Sequence, residues 1–254
     1  MERTNDTHLP MSCGEVHLVF AGDMTEFSAP PVKRLPFPGG AGVGLWLAGP
    51  SCAGAVPDQL WDRLSATEKS RAERFLRPED RALFIMARGT LRFLVGIATG
   101  VAAEAVTFAE GPFGKPYLSG IRGPHFNVSH SGSFALIGLS ENRSIGVDIE
   151  LMRRTGDELN VAKRFFSAAE YRLLQSLEVD ARLLVFYEIW TCKEAILKAH
   201  GTGISEHLKH LSVDVTTDRC VFPLEPNGIS PAFATTSAQR VAVPQGYAGC
   251  CALA

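Results

Sequence analysis

The chain has 254 residues, a formal net charge of −2, 46% hydrophobic and 20% charged residues. This is ordinary globular composition, too apolar for a disordered chain and long enough for one or two domains. A near-neutral balance gives no global field for nucleic acid or a membrane surface, so neither is expected as a partner, and only a local basic patch stays open.

Membrane insertion and secretion are not expected either. No run approaches 18 consecutive apolar residues, and the most apolar region, Leu83 to Ala98, carries Arg88 and Arg92 and reads as a buried helix. The N-terminus lacks a basic segment followed by a long apolar core. The six cysteines (Cys13, Cys52, Cys192, Cys220, Cys250 and Cys251) form no C-x-x-C pair. Zinc spacing and a redox motif are absent, and reduced thiols in a cytoplasm are expected.

In chain order, residues 1–42 read as an irregular N-terminal extension punctuated by Pro and Gly, with a short strand at Val16–Ala21. Val43–Ala48 reads as the first convincing strand, followed by a short helix over Asp58–Arg63. Ser65-Ala66-Thr67-Glu68 is a capping box that predicts a helix to about Phe75. Pro78 suits the first turn of a helix reaching about Ile97, with Gly100 ending it. Strands are expected at Ala105–Phe108 and Tyr117–Leu118, and a boundary at residues 121–124. Three short strands follow, His125–Ser129, Phe134–Leu139 and Ile145–Glu150. Helical stretches near 159–177 and 181–200 come next. Alternation in Ser212–Thr216, Ala232–Thr236 and Tyr247–Leu253 predicts an antiparallel sheet.

The expected class is α+β, with an N-terminal half over 43–122 and a C-terminal half over 123–254. The halves echo each other. Arg74-Phe75-Leu76 resembles Arg164-Phe165-Phe166, and Arg88/Arg92 matches the spacing of Glu194/Lys198. This suggests duplication of one unit.

Five groups could carry chemistry. On a strand, Asp148 and Glu150 share a face about 6.5–7 Å apart along the chain. They could hold Mg²⁺, or simply form a solvated acidic face. On a helix, Glu194 and Lys198 share a face. Glu194 could be a third metal ligand or a general base and Lys198 a phosphate contact, or the two could be a plain i,i+4 ion pair. Ser129, His130, Ser131 and Ser133 lie in what reads as a strand-to-loop segment able to donate to phosphate oxygens. Gly114-Lys115-Pro116 puts a cation in a rigid turn. Arg71 with Arg74 and Arg88 with Arg92 form helix-face pairs able to grip a phosphate, or each could be a solvated surface Arg.

The order of these motifs is specific. Gly114-Lys115-Pro116, Phe126-Asn127-Val128-Ser129-His130-Ser131, Gly146-Val147-Asp148-Ile149-Glu150, Arg164-Phe165-Phe166-Ser167-x-x-Glu170-Tyr171 and Trp190-x-x-Lys193-Glu194-Ala195-x-x-Lys198 resemble the Sfp-type 4′-phosphopantetheinyl transferases. The resemblance spans roughly residues 65–215. It implies two similar α+β halves forming a pseudo-dimer, with coenzyme A in the cleft between them. It implies transfer of the 4′-phosphopantetheine arm of coenzyme A to a serine of an apo acyl or peptidyl carrier protein, with release of adenosine 3′,5′-bisphosphate. Asp148, Glu150 and Glu194 would bind Mg²⁺, or Mn²⁺ in its place. Lys198 would contact the pyrophosphate and, as a catalytic residue, protonate the leaving group. Ser129, His130, Lys115 and Pro116 would contact coenzyme A, as would Arg71, Arg74 and Arg88 on the 3′-phosphate side. Glu194 is the first choice of base and Glu170 the second, with a capping-box partner of Ser167 as the other reading of Glu170. A monomer is expected. The competing functions are a Mg²⁺-dependent hydrolase of nucleotide pyrophosphates and a carrier-binding module without chemistry. Cys192 reads as an inert buried thiol.

Overall fold

The computed structural model describes residues 32–36, 42–49, 56–202, 208–215, 219–220, 233 and 235–254. The strand expected at Val16–Ala21 lies outside them, as do Ala232 and Ala234 of Ala232–Thr236 and Thr216 of Ser212–Thr216.

One four-stranded antiparallel sheet has the order β1 (Val32–Leu35), β2 (Val43–Ala48), β6 (Phe134–Ser140), β5 (His125–Ser131). A second has the order β7 (Ile145–Leu151), β10 (Tyr247–Leu253), β9 (Ser237–Arg240), β8 (Arg219–Cys220). A two-stranded ribbon pairs β3 (Phe108–Glu110) with β4 (Pro116–Leu118). The helices are α1 (Asp58–Asp62), α2 (Ala66–Glu73), α3 (Pro78–Thr99), α4 (Glu158–Phe165), α5 (Ala168–Ser176) and α6 (Val179–His200).

The two sheets face each other across Leu35, Leu45, Leu47 and Leu136 on one side and Ile145, Val147, Ile149, Cys251 and Leu253 on the other. The outer face of the first sheet packs on α3 through Trp46, Phe126, Ile137, Leu91 and Val95. The outer face of the second packs on α6 through Cys250, Ala252, Ile189, Cys192 and Ile196. Helix, sheet, sheet, helix is thus the layer order, and strands buried on both faces read as continuous apolar runs. Helix α3 is long and apolar enough to cross a membrane by composition. Here Leu83, Leu91, Leu94 and Val95 lie in the first core, and buried Arg92 binds Glu68.

Local signals produced most elements where expected. Ser65 and Ser167 each cap a helix in a reciprocal capping box, with Glu68 and Glu170. Gly100 and Gly201 end the long helices with φ of 70° and 66°, the left-handed conformation that Gly adopts without a Cβ penalty.

Tertiary context changed several expectations. Residues 32–35 are not irregular: β1 pairs with β2, burying Val32 and Leu35 and exposing Lys33 and Arg34. The stretch near 159–177 is two helices, because Phe166 turns extended and buries while Ser167 caps α5. Ala103–Ala105 is a 3₁₀ turn and the strand starts at Phe108, since the Val106 carbonyl is held by Arg92 at 2.8 Å. Among the described residues of Ser212–Thr216 there is a bridge at Asp214, and the Val213 N–H goes to the Glu170 carboxylate.

Strands β5 and β6 join the sheet of β2, so pairing runs across the expected 122/123 division of the halves. The duplication also has another register. Both long helices have 22 residues, and Arg92 and Lys193 each occupy the fifteenth position. Glu194 and Lys198 therefore match Phe93 and Ile97, not Arg88 and Arg92. The Arg164-Phe165-Phe166 run precedes a capping box, whereas Arg74-Phe75-Leu76 follows one.

Candidate active site

The site forms where the edge strands β5 and β7 run side by side under α6. Three β5 side chains on one face reach β7. Asn127 Oδ1 accepts from Val147 N at 2.9 Å, Ser129 Oγ donates to Asp148 Oδ1 at 2.7 Å, and Ser131 Oγ donates to Glu150 Oε2 at 2.7 Å while accepting from Leu151 N at 3.1 Å. The expected strand-to-loop segment is thus strand through Ser131, and the polar alternation 127, 129, 131 is the sequence signal that marks it. Asn127 and Ser131 carry the seam: Ser131, expected as a donor to phosphate oxygens, binds Glu150, and Asn127 has no role in the sequence reading beyond its place in the motif.

Alternation on β7 sends Val147 and Ile149 into the core between the sheets and Asp148 toward α6, where it is only 2% exposed. Glycine at 146 makes the approach of α6 possible. A Cβ there would lie 2.0 Å from the Ala195 carbonyl oxygen and 2.3 Å from Ala199 N. Lys198 Nζ consequently reaches Asp148 Oδ1 at 2.6 Å and Ser129 Oγ at 3.2 Å, with Glu194 Oε2 at 3.9 Å.

Three carboxylates, Asp148, Glu150 and Glu194, therefore cluster with one ammonium in direct contact. Burial pushes the Glu194 carboxyl up to about 7, with the Asp148 and Glu150 charges adding to the rise and Lys198 opposing it. Burial also raises Glu150, opposed by its Ser131 hydrogen bond and reinforced by Asp148. Asp148 Oδ2 is buried without a hydrogen-bond partner. Uncompensated carboxylate oxygens of this kind suit a hard divalent cation such as Mg²⁺. Among the described residues, no three His, Cys, Asp or Glu side chains have closed to the spacing of a formed metal centre, and Lys198 holds the position beside Asp148.

A second feature is a cleft of about 460 Å³ between the β3–β4 ribbon, β5 and the end of α6, lined by Lys115, Pro116, His125, Ser144 and His200 among others. Lys115 Nζ donates to Ser144 Oγ at 2.9 Å, Ile145 O at 3.1 Å and Ala199 O at 2.8 Å, closing the C-terminal end of α6. Its burial lowers its pKa to about 8. Burial, and secondarily the Lys115 charge, lower His125 and His200. His125, Ser144 and His200 were not flagged by the sequence, because each comes from a different element.

The remaining expected residues fall elsewhere. His130 is exposed, on the opposite face of β5 from Ser129. Arg71 and Arg74 are exposed at the end of α2, with Arg71 over the Phe84 ring at 5.2 Å, and neither lines the cleft. Arg88 pairs with Glu68 at 2.7 Å and lies over Phe108. Glu170 is 3% exposed and serves Ser167 N, Val213 N and Lys193 instead of facing the acidic cluster. Cys192 is fully buried and in no disulfide.

A carboxylate cluster with an attendant lysine thus stands near a cleft lined by Lys115, Arg122, His125 and His200. Comparison with known proteins gives the family. The 4′-phosphopantetheinyl transferase superfamily matches residues 144–242, and the 4′-phosphopantetheinyl transferase N-terminal family matches residues 58–142. A 4′-phosphopantetheinyl transferase of Bacillus subtilis is 32% identical over 76% of this chain and 84% of its own length. Sfp of Bacillus subtilis strain 168 is 30% identical over 68% of this chain and 76% of its own. HetI of Nostoc sp. is 42% identical over 60% of this chain, spanning 65% of HetI, and a Synechocystis sp. relative is matched over 62% of its length. A solved holo-(acyl-carrier-protein) synthase of Bacillus anthracis overlays loosely, with a TM-score of 0.35 and 19% identity over 43% of this chain and 93% of that one. The chain belongs to the 4′-phosphopantetheinyl transferase superfamily.

Proposed function

We propose that this protein transfers the 4′-phosphopantetheine arm of coenzyme A to a serine of an apo acyl or peptidyl carrier protein and releases adenosine 3′,5′-bisphosphate. The observation that carries this reading is the cluster of Asp148, Glu150, Glu194, Ser129 and Lys198 at the β5–β7–α6 junction, in a chain of this family. Asp148, Glu150 and Glu194 would hold Mg²⁺, or Mn²⁺ in its place, which when bound offsets the negative charge of the pyrophosphate.

Lys198, with 23% of its side chain exposed, can turn from Asp148 to an incoming phosphate oxygen and steady the leaving bisphosphate. Glu194, at the acidic cluster, takes the proton of the serine hydroxyl, directly or through a water. The serine oxygen then forms a bond to the pantetheine-side phosphorus, and the pyrophosphate P–O bond breaks. The cleft around Lys115, Pro116, His125 and His200 would receive the adenosine end of coenzyme A. We propose a division between the halves near residue 143 in place of 122/123, a reading supported by the family matches over 58–142 and 144–242. A cytoplasmic location agrees with Cys192, Cys250 and Cys251 standing outside any disulfide, and a monomer is the assembly proposed.

The test is to incubate the protein with apo carrier proteins, coenzyme A and Mg²⁺ and to weigh the carrier. A gain of one phosphopantetheine arm, abolished by EDTA and by Asp148→Ala, is expected. Coenzyme A cleavage without any carrier would point to a pyrophosphate hydrolase, and carrier binding without mass gain to a non-catalytic module.

A further inference from the structure

We infer that Lys193 and Glu170 form a strut that sets the rotation of α6 about its axis, so that Glu194 and Lys198 meet Asp148. Glu170 is then a positioning residue and not the acceptor of the serine proton. This rests on the acidic cluster being the site of transfer.

The geometry leaves Glu170 nothing to offer a substrate. Oε1 accepts from Val213 N at 2.8 Å, and Oε2 accepts from Ser167 N at 2.7 Å and pairs with Lys193 Nζ at 2.6 Å. Lys193 is 0% exposed, donates also to the Leu208 carbonyl at 2.8 Å, and stands over the Phe166 ring at 4.8 Å. A base must come within hydrogen-bond reach of the proton it removes, and these oxygens are enclosed on the α5 side of α6. Lys193 and Glu194 are consecutive, so they point about 100° apart around the helix. Anchoring Lys193 toward α5 fixes where Glu194 points.

The first half carries the same device. Glu68 closes the capping box of α2 as Glu170 closes that of α5. Arg92, at the fifteenth position of α3 as Lys193 is of α6, binds Glu68. It also donates to the Ala103 and Val106 carbonyls beyond its helix at 2.7 and 2.8 Å, as Lys193 donates to Leu208. An aromatic ring lies by each cation, Phe108 at 5.2 Å and Phe166 at 4.8 Å. Yet Phe93 and Ile97 stand where α6 has Glu194 and Lys198. The glutamate–cation strut therefore occurs in a half that has no acidic cluster to serve, which makes it a device for seating the long helix on the short one.

The experiment is a cycle of Glu170→Gln, Lys193→Met and the double variant in the full chain, read by thermal melting, by the Mg²⁺ concentration for half-maximal transfer, and by kcat against pH. Each single variant leaves a buried partner uncompensated and is expected to melt about 10 °C lower. Glu170→Gln should raise the Mg²⁺ requirement about tenfold and lower kcat up to about 10²-fold through misplacement of Glu194. The double variant buries no unpaired charge, so melting and kcat should return close to wild type with the acid limb of the pH profile unchanged. A Glu170→Gln protein that melts like wild type overturns the strut. A stable double variant whose kcat stays about 10²-fold down, or whose acid limb has vanished, makes Glu170 a proton carrier and overturns the positioning role. Absence of transfer by the wild-type protein would refute the assigned reaction, while the melting cycle would still decide the strut.

Discussion

Replacing Gly146 by Ala tests the contact that assembles the site. The new Cβ would sit 2.0 Å from the Ala195 carbonyl oxygen, against the 3.4 Å at which ordinary contact begins. Both neighbours are backbone, so no side chain can swing aside and α6 must move out by about 1.4 Å. The Lys198–Asp148 contact, 2.6 Å in the native protein, would open to about 4 Å if α6 moved rigidly. Overpacking of this kind costs about 2 kcal/mol, which lowers the melting temperature by about 6 °C in a chain of this length. Misplacing Glu194 and Lys198 by more than 1 Å should lower transfer about 10²-fold. Melting by circular dichroism and carrier labelling followed by mass check both figures, and Gly146→Val should be worse on both. A Gly146→Ala protein with native melting and native rate would show that the approach of α6 to β7 does not set the site.

Glu194 makes the metal-free protein pH-sensitive. Its folded pKa of about 7 lies above the ordinary 4.5, so the folded state holds the extra proton between those values. Stability should therefore fall as pH rises from about 4.5 to 7, by at most about 3 kcal/mol, and Glu194→Gln should flatten that slope in urea titrations. Lys198→Met removes the cation bonded to Asp148 and should destabilise the metal-free protein by about 2 kcal/mol, with Mg²⁺ recovering part of the loss in thermal shift. A melt unaffected by the substitution would contradict the ion pair. Lys115→Met strips a donor from the Ile145 and Ala199 carbonyls and should cost about 1–2 kcal/mol, while weakening coenzyme A binding by calorimetry.

What the sequence determined by itself is local. Ser65 with Glu68 and Ser167 with Glu170 are capping boxes because one Ser and one Glu three residues apart can satisfy each other's backbone partners wherever they occur. Gly100 and Gly201 end helices for an equally local reason, and period-two alternation put Asp148 and Glu150 on one face of β7. Tertiary structure decided what those elements meet. Glu170 reads as base or cap until Lys193 and Val213, remote in sequence, close on it. Arg88 and Arg92 read as phosphate ligands until Glu68 consumes them. The register of the internal repeat, Arg92 with Lys193, is hidden because the matched residues share charge and partner geometry but not identity. Sequence periodicity specifies faces, while burial of a charge depends on the surface brought against that face. Here that surface is α6, which reaches β7 because residue 146 has no side chain.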